Sequence, residues 1–246
     1  MREDRKATRE RQIQTADERL IFCYNLGMQT AIKRRSRAEV VTQIIERRIV
    51  AVVRTDKPEQ VAPVCEALVA GGVTILEVTL TVPNAIELIA QVRKKFDENV
   101  LVGAGTVLNA DSCRTAIRAG AEFVVTPVLR LGLISVAHEL DTPIMVGAYT
   151  PTEAWNAHEA GADFVKLFPA DKLGPGYVRS LRAPLPSLRI VPTGGVDLQT
   201  AGEFLKAGCV ALGVGSSLLT REILADSKWS DLTALARKFV EAVGLR

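Results

Sequence analysis

From Ala38 onward the chain switches repeatedly between two spacings of apolar residues. "AEVVTQIIERR" places Val40, Val41, Ile44 and Ile45 at helical intervals, which predicts a helix ahead of the first strand. Short β-branched runs then begin, each followed by a helical segment. The predicted strands are 49–54, 75–79, 101–103, 123–126, 144–147, 164–167, 190–193 and 211–214. They recur about every 20–26 residues, the length of one strand–helix unit. Each run is nearly all apolar, as expected of parallel strands covered by helices. A small repeat punctuates them. "AGG" at 70–72, "AGA" at 119–121, "AGA" at 160–162 and "AGC" at 207–209 each precede a strand. Glycine there can adopt the left-handed conformation that closes a helix.

About eight such units in one run predict an α/β fold of the (β/α)8 barrel type, a TIM barrel with an extra N-terminal helix. An open doubly wound sheet is the alternative, but it usually has fewer units, and no G-x-G-x-x-G follows the first strand. The barrel is expected over residues 38–246. Residues 1–37 are expected to form a polar, basic arm, either disordered or a frayed helix. Met28 lies just before the periodic region, so translation starting there would account for the upstream residues equally well.

Charge changes the picture only for the arm. Residues 1–37 hold 10 Lys and Arg against 5 Asp and Glu, leaving 21 basic and 23 acidic residues for the rest. The excess positive charge thus belongs to the arm, and the body is no polyanion-binding surface. Aromatic residues make up only 5%, leaving few platforms for stacking bases. No nucleic-acid partner is expected. Nor is a membrane: no apolar run nears the roughly 18 residues of a span, and the charged N-terminus lacks a signal's apolar block. The four cysteines, at 23, 65, 113 and 209, are scattered without a C-x-x-C pair, which fits reduced thiols in a cytoplasmic protein.

In such a barrel the chemistry sits at the carboxyl ends of the strands. Arg54 ends the first run, Glu77 lies in the second and Thr79 ends it, and Thr106 follows the third in "GAGT". Thr126 ends the fourth, and Lys166 stands inside "ADFVKLFPA" in the sixth. Lysine is rarely buried without a partner or a task. A buried Lys166–Glu77 ion pair is the plainer account, but such pairs often add little stability over apolar packing. A buried ammonium ion is disfavoured, and the free amine adds to ketones to give a protonated Schiff base, an electron sink that permits carbon–carbon cleavage. A carboxyl group with a raised pKa can supply the proton transfers, and Glu77 is the candidate. "PTGGV" after the seventh strand and "GVGSS" after the eighth offer backbone N–H groups and the Ser216 hydroxyl to a phosphate.

The stretches "ILEVTLTVP", "VGAGTVLN", "FVKLFPA", "VPTGGV" and "GVGSSL" occur in this order and spacing. In these motifs the chain resembles the class I aldolases of 2-keto-3-deoxy-6-phosphogluconate (KDPG). The resemblance includes the bifunctional members that also cleave 4-hydroxy-2-oxoglutarate (KHG), and covers all but the arm. It implies that Lys166 forms the Schiff base and that Glu77 is the general acid/base. It implies also that Thr106 contacts the pyruvyl portion and that Thr193, Gly194, Gly195 and Ser216 line the phosphate end. Thr81, Thr126, Pro127, Phe168 and Gly215 complete the implied substrate-binding set. Many relatives carry an arginine four residues after the glutamate, where this chain has Thr81. Others share the threonine and end the first strand with an arginine, so Arg54 is the expected carboxylate partner; pairing of Arg54 with a surface acid is the alternative. Val128 stands where relatives often have a smaller or polar residue.

A small keto acid is therefore the expected partner: KDPG, cleaved to pyruvate and glyceraldehyde 3-phosphate, with KHG, cleaved to pyruvate and glyoxylate, as a second substrate. The galactonate epimer is the alternative and a non-catalytic phosphate-binding barrel the rival. A covalent lysine needs no cofactor or metal. Family members are commonly trimers, which implies a homotrimer. His138, His158 and Trp155 are expected to be structural.

Overall fold

The computed structural model describes residues 34–96 and 98–245. Of the expected arm, residues 1–33 lie outside the described residues, and with them Cys23 and Met28. The first helix, α1 (Arg37–Arg47), begins where the sequence supplies a start signal. Ser36 accepts from the Glu39 amide while the Glu39 carboxylate accepts from the Ser36 amide, so two otherwise orphaned donors are satisfied reciprocally.

Eight strands follow: β1 (Ile49–Val53), β2 (Ile75–Thr79), β3 (Leu101–Gly105), β4 (Val124–Val125), β5 (Ile144–Ala148), β6 (Phe164–Leu167), β7 (Ile190–Pro192) and β8 (Leu212–Val214). Neighbours in sequence pair in parallel from β1 to β7, and β8 returns to pair with β1. A parallel bridge between Thr193 and Gly213 joins the two remaining edges and closes the ring. This is the expected (β/α)8 barrel. Its outer ring comprises α2 (Val61–Ala70), α3 (Ala85–Lys95), α4 (Ala110–Arg118), α5 (Gly132–Glu139), α6 (Pro151–Glu159), α7 (Gly174–Arg182) and α8 (Ala201–Lys206); α9 (Arg221–Ala225) and α10 (Trp229–Ala242) follow β8. The repeated A-G-x signal does what its chemistry allows. Gly72, Gly120, Gly161 and Gly208 all have φ between 89° and 111°, a region closed to most side chains.

Alternation along each strand divides the core into two shells. Outward residues such as Ala51, Leu76, Val102, Val146 and Leu167 pack against the helices. Inward residues form a separate cluster of Val50, Ile75, Leu101, Phe123, Val125, Met145, Phe164 and Val191, joined by Val40 and Ile44 of α1. The N-terminal helix therefore closes the amino-terminal mouth of the barrel. Apolar packing fills the lower layers, and polar groups are confined to the layer above.

Some strand limits differ from the expected ones. β3 runs on to Gly105, because Ala104 and Gly105 pair with Val78 and Thr79. β4 is only two residues long, because the Thr126 hydroxyl, not the strand backbone, receives the Gly147 amide. β1 stops at Val53, leaving Arg54 as the first residue beyond it, and β8 begins at Leu212 rather than 211. His138, His158 and Trp155 make structural contacts, as expected. His138 Nε2 lies 2.9 Å from Asp163 Oδ2. His158 contacts Ser187, and Trp155 packs against the outer shell. Cys65, Cys113 and Cys209 are buried and free; burial pushes the Cys65 and Cys209 thiols up to about 12 and the Cys113 thiol up to about 11.

Candidate active site

β2 and β6 stand four strands apart either way round the ring, so their inward side chains face each other across the lumen. Glu77 projects from β2 and Lys166 from β6, and their tips meet: Lys166 Nζ lies 3.7 Å from Glu77 Oε1. Both are buried, with 2% of Glu77 and 5% of Lys166 exposed. That separation is an ion-pair contact, longer than a hydrogen bond, and Glu77 Oε1 has no hydrogen-bond partner among the described residues. Burial raises the Glu77 carboxyl above its ordinary range, while the charges of Lys166 and then Arg54 pull against it. The Lys166 ammonium also sits 5.2 Å from the centre of the Phe168 ring, within cation–π range.

Room for these two long side chains is made by glycine. Glu77 and Gly103 are register partners, as are Lys166 and Gly147. A methyl group at Gly105 would collide with the Glu77 carboxylate, and one at Gly147 with the Pro127 backbone. At Gly213 it would strike the Thr193 hydroxyl, and at Gly103 the Phe123 ring. These inward glycines were not singled out from the sequence. The available signal was glycine inside otherwise apolar strand runs, which marks close approach by another group.

Around the pair, the strand ends arrange the remaining candidates by exposure. Arg54 is exposed just beyond β1, close enough to act on Glu77, and makes no ion pair among the described residues. Thr81 is exposed beyond β2, its hydroxyl 2.9 Å from that of Thr79. Thr106 is partly buried after β3 with φ at 58°, an unusual conformation for a β-branched residue and one that concentrates at functional sites. Pro127 and Phe168 are partly buried.

Thr126 directly follows the fourth strand and lies within the protein. It is fully buried, donates to the Val128 carbonyl at 2.7 Å and accepts from the Gly147 amide at 3.1 Å, so its hydroxyl is engaged inside the protein.

The ends of β7 and β8 form the glycine-rich side. Gly194 and Gly195 both have positive φ, at 85° and 75°, and Gly195 and Ser216 are exposed. Among the described residues, the amides of Gly195 and Ser216 donate to no protein acceptor. Thr193 is 7% exposed beneath them, and Gly215 accepts from Leu218 and Leu219. Such a cluster of free N–H groups can accept an anion. Among the described residues there is no group of three or more His, Cys, Asp or Glu able to hold a metal, and no helix long and apolar enough to cross a membrane.

Comparison with known proteins gives the same picture. Residues 40–235 match the family model described as KDPG and KHG aldolase. The chain is 35% identical to the KHG/KDPG aldolase of Escherichia coli (strain K12), over 80% of this chain and 92% of that protein. It is 30% identical to the 2-dehydro-3-deoxy-6-phosphogalactonate aldolase of the same organism, over 79% and 96%. Among solved structures, the KDPG aldolase of Legionella pneumophila, with pyruvate captured at low pH as a covalent carbinolamine intermediate, superposes with a TM-score of 0.74. That match has 27% identity and covers 80% of this chain and 96% of the other.

Proposed function

The chain belongs to the KDPG and KHG aldolase family, and we propose that it is a class I aldolase using Lys166 as nucleophile and Glu77 as proton shuttle on a 2-keto-3-deoxy-6-phospho sugar acid. The observation that carries the reading is the 3.7 Å approach of Lys166 Nζ to Glu77 Oε1 in a buried layer at the carboxyl ends of the strands.

The unprotonated Lys166 amine attacks the C2 carbonyl of the substrate, and its electron pair becomes the new C–N bond. Glu77 delivers a proton to the resulting hydroxyl, which leaves as water and gives a protonated imine. Glu77, now a carboxylate, takes the proton of the C4 hydroxyl. The C3–C4 bond breaks, its electrons move toward the iminium nitrogen, and an aldehyde departs from an enamine. Protonation of the enamine at C3 and hydrolysis then free pyruvate and restore Lys166. A carboxyl held above its ordinary range by burial suits both halves of this cycle, since it can hold a proton at one step and give it up at the next. Arg54 is the cation available to the substrate carboxylate. The free amides of Gly195 and Ser216 are the donors available to the phosphate.

With KDPG the departing aldehyde is glyceraldehyde 3-phosphate; with KHG it is glyoxylate. The galactonate epimer differs from KDPG at one stereocentre, and the phosphate-binding donors favour either phosphorylated acid over KHG. Comparing kcat/KM for the three substrates decides among them. Incubation with pyruvate followed by borohydride tests the chemistry: a stable mass gain located at Lys166 is expected. An unchanged mass would instead favour a non-catalytic phosphate-binding barrel.

A cytoplasmic homotrimer is part of the same reading. The association is supported by an apolar rim on the loops after β3, β4 and β5, where Leu108 is 45%, Val128 51%, Leu131 41% and Tyr149 41% exposed. Light scattering on the eluting protein should give three times the chain mass.

A further inference from the structure

At the opposite end of the barrel from Lys166, two arginines bind one acid and a third lies near by. Glu122 sits in the turn between α4 and β4, just ahead of the interior Phe123, and is 4% exposed. Arg93 of α3, 6% exposed, approaches it with Nε 3.3 Å from Oε2 and Nη2 3.4 Å from Oε1. Arg35, just before α1, bonds Oε1 through Nη1. Arg47, at the end of α1, bonds the Asn99 carbonyl and lies 3.3 Å from the Thr74 hydroxyl, near enough for its charge to feel both Arg35 and Glu122.

One buried carboxylate is thus shared by two guanidinium groups with the charge of a third, Arg47, nearby; the other acids whose charge reaches Arg47 and Arg93, Glu46 and Glu98, are exposed. Two of the guanidinium nitrogens, Arg35 Nη2 and Arg93 Nη1, are buried without a hydrogen-bond partner among the described residues. Arginine cannot relieve such crowding by losing its proton, and an unsatisfied buried donor is destabilising unless an unseen water or ion completes it. Water would satisfy a donor but leave the surplus charge. An anion answers both. Burial holds the Arg93 and Arg47 guanidiniums below their ordinary range and the charge of Arg35 adds to this at both, against the opposing charges of Glu122 and Glu98 at Arg93 and of Glu46 and Glu122 at Arg47.

We infer that the cluster of Arg35, Arg47 and Arg93 around Glu122 is a binding site for a small oxyanion of the phosphate or sulfate class at the closed end of the barrel, separate from the Lys166 site. No feature of the aldolase reading enters this inference. Planar guanidinium forks suit tetrahedral oxyanions over chloride. Arg35 leads directly into the helix that closes the barrel, so occupancy should stabilise the fold while leaving turnover unaltered.

The test is thermal unfolding of the full-length chain with sulfate replacing chloride at constant ionic strength, kept in the low-millimolar range where general salting effects are small. Ser216→Asp is measured alongside, to close the glycine-rich end of the catalytic site to sulfate. The expected result is a saturable rise in Tm of about 3 °C at tenfold excess over the dissociation constant. It should persist in Ser216→Asp and vanish in Arg35→Gln. A rise that survives Arg35→Gln, or one absent from Ser216→Asp, overturns the proposal. Should Arg35→Gln fail to fold, calorimetric titration of sulfate into the Ser216→Asp protein decides the matter, because absence of saturable binding there has the same consequence.

Discussion

Gly105 in β3 lies so close to Glu77 in β2 that a single methyl group on its α-carbon would overlap the carboxylate. Its register partner is Thr79, two residues beyond Glu77 on the same inward face, so Glu77 leans across the glycine toward Lys166. The rigidity of the barrel wall leaves the carboxylate as the group that must yield. Gly105→Ala should therefore fold, at a cost of about 1–3 kcal/mol for overpacking. Its kcat should fall by about 100-fold, since displacement of a catalytic group by about 1 Å carries that penalty. Steady-state kinetics beside a denaturant titration would check this; normal turnover would mean that Glu77 has another way to reach its work.

Glu77→Gln separates proton transfer from binding. The amide keeps the shape but can neither accept nor donate the travelling proton, so kcat should drop by about 100- to 10,000-fold with KM nearly unchanged. Its stability should also depend on pH in a definite direction. A carboxyl whose pKa rises on folding binds more protons folded than unfolded. Its stabilising contribution is therefore complete below the ordinary value of 4.5 and is lost as pH climbs toward the raised value. Glutamine lacks that loss. The stability of wild type relative to Glu77→Gln should fall as pH rises above 4.5, then level off. A difference flat across that window would mean that burial does not raise this carboxyl.

Much of this site could be read from the chain because its two anchors violate the composition of their own strands. Lysine in "FVKLF" and glutamate in "ILEVT" stand out against runs that otherwise bury only apolar residues. The glycines opposite them do not stand out, because glycine in "VGAGT" and "MVGAY" reads equally well as a turn. Only register shows that Gly103 and Gly147 share a layer with Glu77 and Lys166. The Arg35–Glu122–Arg93 cluster was equally hidden, since it joins residues 87 and 29 positions apart whose local patterns are those of ordinary surface helices and turns. Strand limits were misjudged where a side chain takes over a backbone role, as Thr126 does beside Gly147.

Arg54 offers a test of how the substrate is held. It is exposed and has no ion-pair partner among the described residues, so removing it disturbs no visible contact of the folded chain. A guanidinium bonded to a carboxylate contributes about 1.5–3 kcal/mol. Arg54→Gln should therefore lower kcat/KM by about 10- to 100-fold, mostly through KM, with Tm unchanged. The same variant removes one charge that holds the Glu77 carboxyl down, so the limb of the pH–rate profile set by loss of the Glu77 proton should move to higher pH. An unaltered KM would point instead to the Thr79–Thr81 hydroxyl pair as the carboxylate's partner.

Thr126 sits at a strand end where substrate contact was expected, yet its hydroxyl is committed twice within the protein, to the Val128 carbonyl and the Gly147 amide. Those bonds tie the turn carrying Pro127 to the strand that faces Lys166, so the side chain positions the wall of the site. Thr126→Val keeps the shape and strands both backbone partners, which should cost about 1–3 kcal/mol and lower Tm by about 5 °C. Thr126→Ser retains the hydroxyl and should restore most of that loss. Turnover by the valine variant, measured well below its unfolding transition, should keep a near-normal KM because no hydroxyl is withdrawn from the substrate. A large rise in KM in Thr126→Val with Tm unchanged would reverse the assignment and return Thr126 to the substrate.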